Sequence, residues 1–262
     1  MNLLKKLLDS FKRPAPQEDS PIAQAEDANQ AARLAGEACL DRHWSSVGSV
    51  ERDVLAYLIS PSFSGGPHWP STRQAYRVVR RGDSIILATE GLSDPFDDAQ
   101  GQGNGFEMEL FVETPDIPEH ARGPLGEVDP FKRSWAFELI ENIAKTVADA
   151  GGITQQLARY GALSLELPGF SQSHHISGQL PEHFVTEDDC IGVLLGGPAP
   201  DFPTRLEGMP LSPVTLVPVV LITAAELEYI RAGGGEARGD LVSRLQAAGV
   251  GHVSSLQRAS VV

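Results

Sequence analysis

Long hydrophobic runs are missing from this chain of 262 residues. Its most apolar stretch, Val214–Ile222, falls far short of the roughly 20 residues that cross a bilayer as a helix. The opening MNLLKKLLDSFK is too short and too interrupted by charge for a secretory signal. Cysteine is scarce, with only Cys39 and Cys190 and no metal-type spacing between them. A disulfide framework is therefore not expected, and free thiols in a reducing, cytoplasmic setting are. Positive charge is the third shortage: 21 Lys and Arg stand against 35 Asp and Glu, for a net charge of −14. Nucleic acid would be repelled by such a chain, whereas a basic protein would be attracted and steered. The shortage is greatest between Glu90 and Asp116, a stretch with no Lys or Arg. It holds Glu90, Asp94, Asp97, Asp98, Glu107, Glu109, Glu113 and Asp116.

Catalytic signatures are also wanting. His174, His175 and His183 lie near Glu182, Glu187, Asp188, Asp189 and Cys190, but without HExxH or CxxC spacing. No metal ligand set and no cofactor is implied. There is no GxSxG, and neither cysteine sits in an electropositive setting. The cluster GQGNG at 101–105 precedes a strand-like run and is surrounded by acids, the wrong setting for phosphate. Glu90, Asp94, Asp97 and Asp98 are the right residue type for acid–base work, but loop carboxylates more often cap turns or bind a cation.

What is present is a mixed set of elements. Residues 1–13 form a basic island: Lys5, Lys6, Lys12 and Arg13 against Asp9 make it +3, leaving −17 on the rest. Leu4, Leu7, Leu8 and Phe11 share one helical face. Membrane or partner docking is one reading of that face. A frayed terminus, or a helix resting on its own acidic domain, is preferred, because a single short helix adsorbs weakly. A linker follows, then Ser20-Pro21 starts a helix to about Arg42 with a thin apolar stripe. Asp53–Ile59 is an apolar run of strand length that a short helix would also fit. Gln74–Arg80 and Ser84–Thr89 flank a turn and predict a hairpin. Gly105–Thr114 alternates, with Phe106, Met108, Leu110 and Val112 on one side and Glu107, Glu109, Phe111 and Glu113 on an open, acidic one. Ser134 caps a helix to about Ala150. Ala162–Leu167 and Cys190–Leu195 read as strands. Val214–Ile222 reads as a strand placed at a sheet edge, or bulged, by Pro218. Such an edge would accept an added peptide strand. Thr223 and Glu226 form a capping box, glycines 233–235 stop that helix, and another runs from Asp240 to Gly249. The tail from His252 has the makings of a last strand. This order predicts an α+β fold with a mixed or antiparallel sheet flanked by helices.

Three segments resemble the Suppressor of fused family: GLSDPF (Gly91–Phe96), GFEMELFVET (Gly105–Thr114) and the Trp-led WAFELIENIA (Trp135–Ala144). Gly208–Ile230 and the closing Gln257-Arg258 are similar to its bacterial branch, and the likeness spans about residues 45–262. The resemblance implies a domain that works by binding proteins. Animal members hold a transcription-factor peptide by strand addition beside a second lobe, next to a Gly-Asp-containing segment. This chain is shorter and has Gly151-Gly152-Ile153-Thr154 there. Bacterial members resemble, by context, immunity proteins of polymorphic toxin systems. The expectation is thus a basic amphipathic segment with linker (1–20), a helix (21–44) and a Suppressor-of-fused-like domain (45–262). Its function would be binding, not catalysis, most simply neutralisation of a basic toxin. Glu90, Asp94, Asp97, Asp98, Glu107 and Glu109 would be the contact acids. An adaptor that binds an extended peptide is the alternative, and a metal-dependent hydrolase ranks last.

Overall fold

The computed structural model describes residues 21–97 and 103–262. The basic segment 1–13, the Ser20 cap and Asp98 lie outside the described residues. Helix α1 (Pro21–Val47) leads into two short strands, β1 (Ser49–Val50) and β2 (Leu55–Ala56). Strands β3 (Ala75–Arg81), β4 (Ser84–Glu90) and β5 (Met108–Thr114) follow, then α2 (Trp135–Asp149) and α3 (Thr154–Tyr160). After β6 (Leu163–Pro168) come the short α4 (Ile176–Gln179), β7 (Cys190–Leu195), β8 (Arg205–Leu206) and β9 (Val214–Ile222). Helix α5 (Ala224–Ala247) is bent at Gly234 (φ 60°, ψ −136°), within the glycine run expected to stop it.

The strand order is β1-β3-β4-β5-β9-β7-β6, with β2 on β3 and β8 on β9. All pairs are antiparallel except β5–β9. The expected α+β architecture is thus present, and β3 and β4 form the expected hairpin. Two strand expectations need correction. Of Asp53–Ile59 only Leu55–Ala56 pairs, while Leu58 and Ile59 are exposed. Strand β9 is central, not an edge. Proline is accommodated there because pairing changes sides: β5 pairs with Thr215–Pro218, and β7 pairs with Val219–Ile222. Pro218 needs no donor at that handover, and its carbonyl accepts from Gly196 N at 3.0 Å. The tail enters the fork between β5 and β9. Glu113 bridges Val253, Ser254 N donates to Glu113 O at 2.8 Å, and Leu221 N donates to Ser254 Oγ at 3.0 Å.

Both faces of the sheet are covered. On one, Leu139, Ile140, Ile143, Ala144 and Val147 of α2 bury their stripe against Val78, Leu87, Leu110 and Val217. Helix α2 is placed by Ser134, whose hydroxyl accepts from Phe137 N, and by Trp135, whose indole donates to Asp116 O at 2.9 Å. On the other face, α1 lays Cys39, Leu40 and Trp44 over Val79, Ile86 and Phe111. These sit at i, i+1 and i+5, a narrow strip, as the thin stripe predicted. Helix α5 covers β7 and the second half of β9 through Leu227, Ile230, Leu241 and Leu245. Its capping box is complete, with Thr223 N donating to Glu226 Oε2 at 2.9 Å.

Candidate functional site

The coverage by α1 changes the meaning of the acidic stretch. The side of β5 expected to be open is closed: Glu109, Phe111 and Glu113 are all buried. Glu109, fully inaccessible, is the centre of the two signature segments. Its Oε1 accepts from Gly91 N at 3.0 Å, Ser93 N at 2.9 Å and Ser93 Oγ at 2.6 Å. Its Oε2 accepts from Thr89 Oγ1 at 2.5 Å. The segment GLSDPF therefore wraps around the second glutamate of GFEMEL. Phe106 N closes the wrap by donating to Leu92 O at 2.8 Å. Gly91 (φ 137°) permits it, because a Cβ there would stand 2.5 Å from Arg73 O. Gly105 (φ 49°) does likewise against Asp94 O, also at 2.5 Å. Burial raises the Glu109 pKa to about 7, although four donors favour its ionised form.

The other acids that point inward are neutralised by arginines from β3 and the turn before it. Glu90 binds Arg73 and Arg77, the latter at 2.6 Å. Asp94 accepts from Ser71 Oγ at 2.8 Å and pairs with Arg73. Burial moves its pKa upward, with Arg73 and Ser71 opposing. Arg73 also reaches Glu37, and Arg77 reaches Asp41, so the same cations pin α1 to the sheet. Glu113 lies between Arg81 and His252. Glu90, Asp94 and Glu109 are thus not a landing surface. They are buried, and their oxygens are already committed within the fold. The sequence did carry a signal for this, the four arginines between Arg73 and Arg81 that precede the arginine-free acidic stretch.

Two of the proposed contact acids remain accessible among the described residues. Asp97 is exposed and accepts Thr72 N at 3.1 Å. Glu107 is half-buried, in the left-handed backbone region (φ 56°), which is uncommon for a residue with a side chain. Neither forms an ion pair with a described residue. The histidines do not converge: among the described residues no three His, Cys, Asp or Glu side chains are gathered as a metal would require. His174 and His175 instead contribute backbone N–H groups, which with Ile176 N cap the Glu138 carboxylate at 2.6–2.9 Å.

Sequence reasoning missed the concavity beside Glu107. A cavity of about 330 Å³ opens where β9 passes from β5 to β7. Met108, Val217 and Pro218 line it from the sheet, Leu157 and Ala158 from α3, and Ala199 from the loop after β7. A second cavity, of about 440 Å³, is lined by Phe96, Phe106, Glu107, Gly152 and Gln155. The two meet at Thr154, whose hydroxyl donates to Phe106 O at 2.7 Å. Together they form a groove along α3, mostly apolar at one end and with Glu107 at the other. Asp97 and Asp149 follow or precede residues of its wall. An apolar trough with a few polar groups is the usual form of a recognition site.

A groove of this kind on a mixed sheet defines a binding module, and the comparisons agree. The Suppressor of fused protein family matches residues 76–259, so the chain belongs to that family. No curated protein and no solved structure matches it. The family is one of regulatory proteins that bind other proteins, and protein binding is the role that membership carries to this chain. Among the described residues no helix is long and apolar enough to cross a membrane.

Proposed function

We propose that this protein is an immunity protein that neutralises a cognate toxin by binding it. A basic segment of the toxin would lie in the groove along α3, against Asp97, Asp98 and Glu107. The observation that carries the reading is the groove itself: an open apolar trough beside carboxylates that no described cation neutralises. A net charge of −14 supports the choice of a basic partner. If a toxin domain is encoded beside this gene, co-expression of the two is expected to restore growth of cells that the toxin alone arrests. Leu157→Asp, which puts a charge in the trough, is expected to abolish protection without unfolding the protein, since Leu157 is only partly buried. Protection that survives Leu157→Asp together with Glu107→Lys would overturn the assignment.

The adaptor reading has one observation in its favour. Strand β6 ends the sheet order and, among the described residues, pairs only with β7, so its outer edge is where an extended peptide would add. Glu166 and Pro168 on that strand protect such an edge from self-association. A partner peptide that blocks amide exchange along β6 and leaves α3 unchanged would favour this second surface.

A further inference from the structure

A neutral apolar patch stands out on this acidic chain. Residues 54–72 hold no Asp, Glu, Lys or Arg, the longest such run in the sequence. Among the described residues nine large apolar side chains are exposed, and four of them, Val54, Leu58, Ile59 and Phe63, fall within this run. Leu58 is fully exposed, and Ile59 and Phe63 are 71% and 73% exposed. None of the four lines the groove along α3. They also precede the residues that match the family, so membership does not account for them. Surface apolar groups gathered in this way mark contact sites.

We infer that this patch is a self-association surface, set against the same patch of a second copy about a two-fold axis. Charge selects the occupant. At −14, two copies repel each other wherever their acids meet. Residues 54–72 are where they can approach without bringing like charges together. A basic partner is drawn instead to the carboxylates, and an anionic membrane finds no Lys or Arg here to hold it.

The patch is also held ready. Pro61–Ser64 form a short turn in which Phe63 N donates to Ser60 O at 3.1 Å. Gly66 N donates to Pro61 O at 2.9 Å, and Gln74 Nε2 donates to Pro67 O at 3.1 Å. Trp69 is buried and meets Tyr76 of β3 edge-on, with ring centroids 5.9 Å apart. Order present before contact lowers the entropy cost of association. Strand β2, which leads into the patch, pairs only with β3 among the described residues. Its two residues are too few to hold a second copy by main-chain bonds, so side chains carry the contact.

Sedimentation velocity of the full chain at about 100 µM tests the inference, a concentration above the micromolar end of interface affinities. A dimer of twice 28.1 kDa is expected and no larger species, because a two-fold contact closes on itself. Raising the salt should strengthen it by screening the repulsion between copies, the opposite of binding to a basic partner. Leu58→Arg with Phe63→Arg makes the chain less acidic, yet is expected to leave only monomer. Its thermal unfolding should be unchanged, because both side chains are exposed. Leu58→Asp with Phe63→Asp should also leave only monomer, and loss by both signs of charge assigns the contact to apolar burial. A monomer at every concentration and salt would overturn the inference, as would a dimer that either pair of substitutions leaves intact. So would species beyond the dimer, or association that weakens with salt. Amide exchange in residues 57–63 that slows only with phosphatidylcholine vesicles, or only with a different protein, would overturn it too and give the patch to that occupant.

Discussion

Glu109 shows how a carboxylate can define a family without touching a partner. Replacing it with alanine leaves the buried N–H groups of Gly91 and Ser93 without an acceptor, and each such loss costs about 1–3 kcal/mol. Glu109→Ala is therefore expected to cost several kcal/mol in urea denaturation, whereas Glu109→Gln keeps an acceptor and should fold. The pH dependence separates these further. Because the folded pKa of Glu109 is raised to about 7 from an ordinary 4.5, the folded state holds its proton where the unfolded state has lost it. Stability from this group is full below about pH 4.5, falls as pH rises towards 7, and is constant above. Glu109→Gln is expected to remove that slope. Glu226 runs the opposite way. Burial would raise its pKa, but Arg258 and the N–H groups of Thr223 and Val261 outweigh burial and hold it low. Its contribution is present above the ordinary carboxylate range and is lost as pH falls. Glu226→Leu strands Arg258 and is expected to cost about 3–5 kcal/mol in the same measurement. The alternation on β5 was legible in the sequence. What occupies the space above Glu109 was not, because periodicity reports which residues share a side and not what packs on it.

At the scale of elements, local chemistry was read well where it is self-contained. The Ser134 cap, the Thr223–Glu226 box and the hairpin turn act within a few residues, and each stands as expected. Pro218 was misplaced because its environment is set by two strands, β5 and β7, that lie far from it in the chain. Helix α1 is the element whose importance was least visible. Its stripe is narrow, yet Trp44 is almost fully buried and meets Phe111 edge-on, with ring centroids 5.7 Å apart. Trp44→Ala is expected to cost about 3–5 kcal/mol, measured by thermal or urea unfolding. It should also loosen the Arg73 and Arg77 contacts with Glu37 and Asp41, seen as faster amide exchange in β3.

For the molecule as a whole, the excess of acid sets how partners arrive more than how tightly they stay. Association with a basic partner is expected to slow as ionic strength rises, because exposed charges are screened over about 10 Å at 0.1 M salt. The double variant Asp97→Lys, Glu107→Lys should lower the association rate and leave dissociation nearly unchanged, as stopped-flow measurements would show. A larger effect on dissociation would place those acids inside a dry contact instead of at its rim. The groove itself was not legible in the sequence. Its walls come from β5, α3, the loop after β7 and β9, brought together only when the sheet is complete.

The fork between β5 and β9 bears on the order in which the chain can mature. Ser254 takes up hydrogen bonds on both prongs, to Glu113 and to Leu221. Emerging polypeptide can assemble the early hairpin and α2, yet that split stays open until residue 254 has left the ribosome. Nascent chains of this protein therefore carry an unsealed seam from the emergence of β9 until residue 254 follows it, and it is there that a chaperone, or a mispaired strand, would find purchase.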